Sequence, residues 1–151
     1  MTRAQIRESV FKLLFRVEFN EPEDMQGQIV HFFENPKMGS DEEEKAGEEV
    51  PQIPGQDADY IREKYGKIVE KIPELDEEID DAARGWKLAR LGKVDLTILR
   101  LALYEMKYDE DIPVGVAINE AVELAKKFGQ DESPSFVNGI LAKLAKSADD
   151  E

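Results

Sequence analysis

Apolar residues recur every three or four positions along most of this chain, the spacing of one helix face. Thr2 and Gln5 have the spacing of a capping box, which serves two orphan backbone N–H groups at a helix start. Ile6, Val10, Leu13, Leu14 and Val17 continue as a stripe that stops before Asn20 and Pro22. A second helix is predicted over Met25–Glu34, with Ile29, Val30, Phe32 and Phe33 on its apolar side. A third runs over about Ala58–Ile72. Pro73 is expected to stop it and to open a fourth over Glu74–Trp86. Beyond Gly92, VDLTILRLALYEMKY is apolar around most of its circumference, the mark of a buried central helix. Pro113 opens a sixth helix, which Gly129 closes at a C′-like position. Ser133 and Pro134 then read as N-cap and first residue of a seventh, ending near Lys146. No strand alternation and no internal repeat emerge, so the expected class is all-α with about seven helices.

Residues 36–56, PKMGSDEEEKAGEEVPQIPGQ, break this pattern with prolines, glycines and acidic runs. So few apolar anchors do not offset the entropy of ordering, and a flexible acidic loop is expected. Neither flank is long enough to fold alone. The loop therefore reads as an insertion within a single domain spanning 1–151.

Helix-wheel placement puts Val114, Ile118, Ala121, Val122, Ala125 and Phe128 on one side of the sixth helix. Glu120, Glu123 and Lys127 lie opposite, with Asn119 and Lys126 at the boundary. The seventh helix buries Val137, Ile140, Leu141 and Leu144 by the same spacing. Between them stands FGQDESPSF, a polar hinge with Phe136 in the turn that follows. A helix start offers unpaired N–H groups and a positive dipole end to a phosphate. An aromatic beside it has the chemistry to stack on an unpaired base. The plainer reading is two core helices with solvated charge on their backs.

Composition narrows the chemistry. There are no cysteines, which excludes disulfides, thiolate nucleophiles and Cys-ligated metal. The one histidine, His31, falls in an apolar-rich helix and reads as structural. No apolar run approaches the roughly 20 residues of a bilayer span. The N-terminus lacks a signal-peptide pattern, so a soluble cytoplasmic protein is expected. The formal net charge of −14 argues against autonomous, non-specific nucleic-acid binding. That charge is segregated, however. Residues 36–59 alone carry −6, whereas Arg3, Arg7, Lys12 and Arg16 against Glu8 give the first sixteen residues +3.

LTILRLALYEM, then IPVGVAINEAVELAKKFG, then SFVNGILAKLA resembles the C-terminal half of the NusB family of bacterial transcription antitermination factors. Order and spacing fit over about residues 90–145, and RESVFKLLF fits the family's first helix. Residues 20–90 match mainly in helix count. The resemblance implies an all-helical fold of two packed subdomains with no catalytic centre and no cofactor. It also implies binding of single-stranded boxA RNA from ribosomal RNA transcripts. The implied partner is the ribosomal small-subunit protein that acts as NusE, within the transcription elongation complex. A homodimer would bury the same partner surface.

The family's RNA contacts, carried over by position, fall on Arg3, Arg7, Lys127, Ser133 and Phe136. Arg3 and Arg7 are neighbours on one helix face. Family members often carry a denser arginine run there, so the resemblance implies weak RNA binding by this chain alone. Partner contacts carry over to Phe15 and Asp95. Asp95, near a helix start, also suits the dipole whatever it binds.

Two other classes compete. NusB-like domains precede the catalytic domain of ribosomal RNA cytosine methyltransferases, but this chain lacks a Gly-rich cofactor loop and the cysteine. Adjacent carboxylates such as Glu77 and Glu78 point to different sides of a helix and do not form an acid–base pair. The second competitor is a protein-only helical module whose acidic surface attracts a basic partner without touching RNA.

Overall fold

The computed structural model describes residues 1–34, 53–84 and 92–149. Among them are six α-helices and no strand: α1 (Arg3–Phe15), α2 (Met25–Glu34), α3 (Gly55–Ala82), α4 (Lys93–Tyr108), α5 (Val114–Phe128) and α6 (Ser133–Asp149). Short 3₁₀ turns at Arg16–Glu18 and Pro22–Asp24 lie between α1 and α2. None of these helices is long and apolar enough to cross a membrane. The chain divides into two compact units, Met1–Gly66 and Lys67–Glu151.

In the first unit the capping box forms as its spacing predicts. The Thr2 N–H donates to Gln5 Oε1 at 2.8 Å, and the Gln5 N–H donates to Thr2 Oγ1 at 3.1 Å. Val10, Phe11, Leu13 and Leu14 are buried on α1, and Phe32 is buried on α2. Arg16, just past α1, fixes the approach of α2. Its Nη1 donates to the Gln28 carbonyl at 3.1 Å and to Gln28 Oε1 at 3.2 Å. The same nitrogen lies 3.4 Å from His31 Nδ1, and the guanidinium sits 5.4 Å from the Phe32 ring centre. His31 is thus part of a structural clamp.

In the second unit α4 is the axis. Every residue from Thr97 to Glu105 is buried, as its all-round apolar pattern predicts. It packs on α5 and α6, which also pack on each other. Arg100 adds a bidentate pair to α3: Nε and Nη2 donate to the two Asp76 carboxylate oxygens at 2.7 and 2.8 Å.

One element departs from expectation. The predicted third and fourth helices are one continuous helix, α3, which runs straight through Pro73 and ends at Ala82. Proline has no N–H for the Val69 carbonyl, and a mid-helix proline costs about 3 kcal/mol. Against this, Ile68, Leu75 and Ile79 are buried at spacings of seven and four. Each contributes about 1.5–3 kcal/mol by burial, so keeping them on one stripe outweighs the penalty. Pro73 itself is exposed, which leaves water access to the orphan carbonyl. Residues 36–52 of the expected loop, and Trp86, lie outside the described residues; Gly55 and Gln56 belong to the first turn of α3.

Pro73→Ala restores the missing donor. It is expected to stabilise the protein by about 1–2 kcal/mol, less than the full helix penalty because the unfolded chain also gains freedom. Urea denaturation checks this, and an unchanged or lower midpoint contradicts it.

Candidate nucleic-acid interface

The hinge between α5 and α6 is a tightly closed turn in the second unit. α5 ends at Phe128, and the Gly129 N–H donates to the Ala125 carbonyl at 2.9 Å. Gly129 adopts φ −91° and ψ −167°, extended backbone and not the left-handed C′ conformation expected from sequence. Its lack of a side chain serves close approach instead. A Cβ there would lie 2.5 Å from Ser133 Cβ, 2.6 Å from Ser133 Oγ and 2.7 Å from the Ala125 carbonyl oxygen. Only glycine fits.

That approach lets Ser133 close the turn. Its N–H donates to the Gln130 carbonyl at 3.0 Å, and its Oγ accepts the Gln130 N–H at 2.9 Å. The Phe136 N–H donates to the Glu132 carbonyl at 3.0 Å, which puts the helix cap at Glu132. Ser133 is therefore the first residue of α6, one place beyond the expected N-cap. Its hydroxyl is turned back toward the hinge and does not cap N–H groups ahead of it.

Asp95 joins the same arrangement from the first turn of α4. The Ser133 hydroxyl is the group there that favours the ionised form of Asp95. The Oδ1 atom of Asp95 is buried without a hydrogen-bond partner. Burial pushes the Asp95 carboxyl above its ordinary value, the Ser133 hydrogen bond opposes this, and the nearby Glu132 charge adds to it. A residue expected to meet a partner and one expected to meet RNA thus act on each other electrostatically.

The remaining sequence-derived candidates divide between the units. Arg3 is exposed at the start of α1, whereas Arg7, one turn on, is only 8% exposed and so lies within the packed face. Phe15 ends α1 half-buried, stacked on buried Phe11 with ring centres 6.0 Å apart. In the second unit Lys127 is exposed near the end of α5, its Nζ 5.4 Å from the Phe128 ring centre. Ser133 is buried and Phe136 half-buried in the first turn of α6. The second unit therefore gathers Ser133, Phe136 and Asp95 at the hinge end of α4 and α6, while Arg3, Arg7 and Phe15 belong to the first.

Sequence reasoning passed over Phe19. It is 59% exposed, and its ring meets Phe15 edge-on with centres 4.9 Å apart. The signal was the repeat Phe11, Phe15, Phe19 at intervals of four, a graded aromatic row running from core to solvent.

Two stability measurements test this geometry. Gly129→Ala forces Ser133 or the α5 terminus to move, and a loss of about 1–3 kcal/mol is expected in thermal or urea unfolding. For Asp95, the folded carboxyl holds its proton to higher pH than the unfolded value of 3.8. Its charge penalty is absent below that value and grows as pH rises through the folded pKa. Asp95→Asn keeps an acceptor for Ser133 without the charge. Its stability relative to the native sequence is expected to rise from pH 3 to pH 7, and a flat difference across that range rules the burial effect out.

The chain matches known proteins along nearly all of its length. The family model described as "NusB family" matches residues 4–146. A transcription antitermination protein NusB from Agathobacter rectalis is 48% identical over 145 residues, covering 96% of this chain and 100% of that protein. The protein of the same description from Lachnoclostridium phytofermentans is 46% identical over 144 residues, covering 95% and 98%. Among solved structures, T. maritima NusB superposes with a TM-score of 0.77 at 33% identity, over 97% of this chain and 92% of that one. A structure of the antitermination factors NusB and NusE with double-stranded RNA shares the fold at TM-score 0.70 and 22% identity, covering 96% of each chain. The chain belongs to the NusB family.

Proposed function

We propose that this protein is a transcription antitermination factor that, with the ribosomal protein NusE, binds the boxA element of ribosomal RNA transcripts. It then joins the complex on the elongating RNA polymerase. Family membership over residues 4–146 is the observation that carries this reading. It is supported by the solved NusB–NusE–RNA assembly of the same fold and by the closed, partly aromatic hinge of the second unit. The function involves no chemical step, and the protein acts by holding RNA and protein together in the cytoplasm.

The side chains divide by exposure into contacts and supports. Arg3 and Lys127 are exposed cations suited to phosphates. Phe136, half-buried, offers a ring edge or face to an unpaired base. Arg7 and Ser133 are buried, and Ser133 closes the turn that leads into α6. Phe15, extended by Phe19, presents the aromatic row to NusE, and a homodimer would compete for that same surface. Asp95 contributes to the partner side through the hinge it anchors. With a net charge of −14, the chain by itself holds RNA weakly, and a basic partner supplies cationic surface.

Ternary-complex formation with NusE and a single-stranded boxA RNA, followed across a salt titration, tests the assignment. Arg3→Ala combined with Lys127→Ala is expected to weaken binding and to flatten the slope of log K against log salt by about 1.4, about 0.7 per lost phosphate contact on single strands. An unchanged slope removes both residues from the interface. Partner binding that proceeds with no RNA affinity at all favours the protein-only module.

A further inference from the structure

Beside the hinge, α5 and α6 enclose a shallow groove with a cavity volume of about 480 Å³. That size lies within the roughly 300–1,000 Å³ of small-molecule sites. Its apolar surface comes from Ile118 and Val122 of α5 and Pro134 of α6. Two asparagines, Asn119 on α5 and Asn138 on α6, also line it. Both asparagines are exposed, and neither side-chain amide has a hydrogen-bond partner among the described residues. Gly115 lies at one end, and a Cβ placed on it would meet nothing within 4 Å.

We infer that this groove is a nucleobase subsite, in which Asn119 and Asn138 read the edge of one unpaired base of the bound RNA. The inference rests on the proposed RNA-binding function and adds to it the place where sequence is read. Three observations favour a base over other occupants. The lining carries no charge at all, in a chain whose net charge is −14, so the groove adds no formal repulsion to a polyanion. An apolar floor with a donor-and-acceptor rim matches a flat heterocycle that is greasy on its faces and polar at its edge. The groove also includes Pro134 and Ser135, which directly precede half-buried Phe136 in the first turn of α6, so a strand that stacks on Phe136 passes beside it. An asparagine amide presents one donor and one acceptor in a plane, the pattern that pairs with an adenine edge in a bidentate way.

This is a reading element, distinct from the cations that hold the backbone. Removing it changes which RNA is preferred without changing how many phosphates are neutralised.

The test uses the full chain with NusE and a panel of single-stranded boxA RNAs, each altered at one base. Asn119→Ala and Asn138→Ala are compared with the native protein, and melting temperatures confirm that each variant is folded. At one RNA position the native protein is expected to prefer its base by about 5- to 100-fold, and each variant to lose most of that preference. The salt dependence stays unchanged. Gly115→Leu, which adds bulk to the α5 wall of the groove while both amides remain in the sequence, is expected to weaken binding of the preferred RNA and to spare the RNA altered at that position.

Variants that keep the native base preference at every position overturn the subsite and leave the antitermination reading intact. A uniform loss over the whole panel with a shallower salt slope also overturns it, because the amides would then be backbone contacts. If the native protein with NusE binds none of the RNAs, the functional reading fails and the subsite with it.

Discussion

The second unit depends on a contact that would be impossible with any side chain at position 129. With Gly129 seated against Ser133, a Cβ there would overlap three heavy atoms at 2.5–2.7 Å. The turn from α5 into α6 can then close within four residues, and the Ser133 hydroxyl is brought under the Gln130 N–H. From that position it also serves Asp95 at the start of α4. One steric allowance thus sets the relation of three helix termini, and the groove between α5 and α6 inherits its width from the same turn. A hydrogen-bond network that is fully engaged rigidifies its surroundings; Asp95 Oδ1, buried without a partner, is the point at which this one is incomplete.

Charge is handled differently in the interior and on the surface. Arg100 is buried against Asp76 with Nε and Nη2 engaged, and Arg16 is spread over a carbonyl, an amide oxygen, an imidazole and a ring. These cations are held in structural contacts, Arg100 by a carboxylate and Arg16 by neutral groups. The chain as a whole is strongly anionic, and Arg3 and Lys127 are among its exposed cations. On the proposed reading, the protein contributes shape and base recognition, and NusE contributes cationic surface. That division suits a factor that should not bind arbitrary RNA, since non-specific affinity comes almost wholly from phosphate neutralisation.

The aromatic row of the first unit follows a similar economy of position. Phe11 is buried, Phe15 half-buried and Phe19 largely exposed, each stacked or edge-on to the next. The buried end supports the exposed end through ring contacts, which on the proposed reading would preorient the row for NusE. Such preorganisation lowers the entropy cost of association.

By itself the sequence determined the helices, the burial of α4 and the capping box at Thr2 and Gln5, because these follow from local spacing and hydrogen-bonding capacity. α2 spans the predicted Met25–Glu34, and α5 runs between the predicted Pro113 and Gly129. The family resemblance was legible for the same reason, since its motifs are contiguous on α4, α5 and α6. Only tertiary packing decided the fate of Pro73, where burial on both sides outweighs a local penalty that sequence rules treat as a stop. Tertiary packing likewise buried Arg7, to which the family resemblance gave an RNA contact, and set Ser133 near Asp95, 38 positions earlier in the numbering. The groove edged by Asn119 and Asn138 was invisible for a related reason. Each asparagine alone is an unremarkable polar residue, and the chemistry of the pair exists only when two helices distant in register are packed side by side.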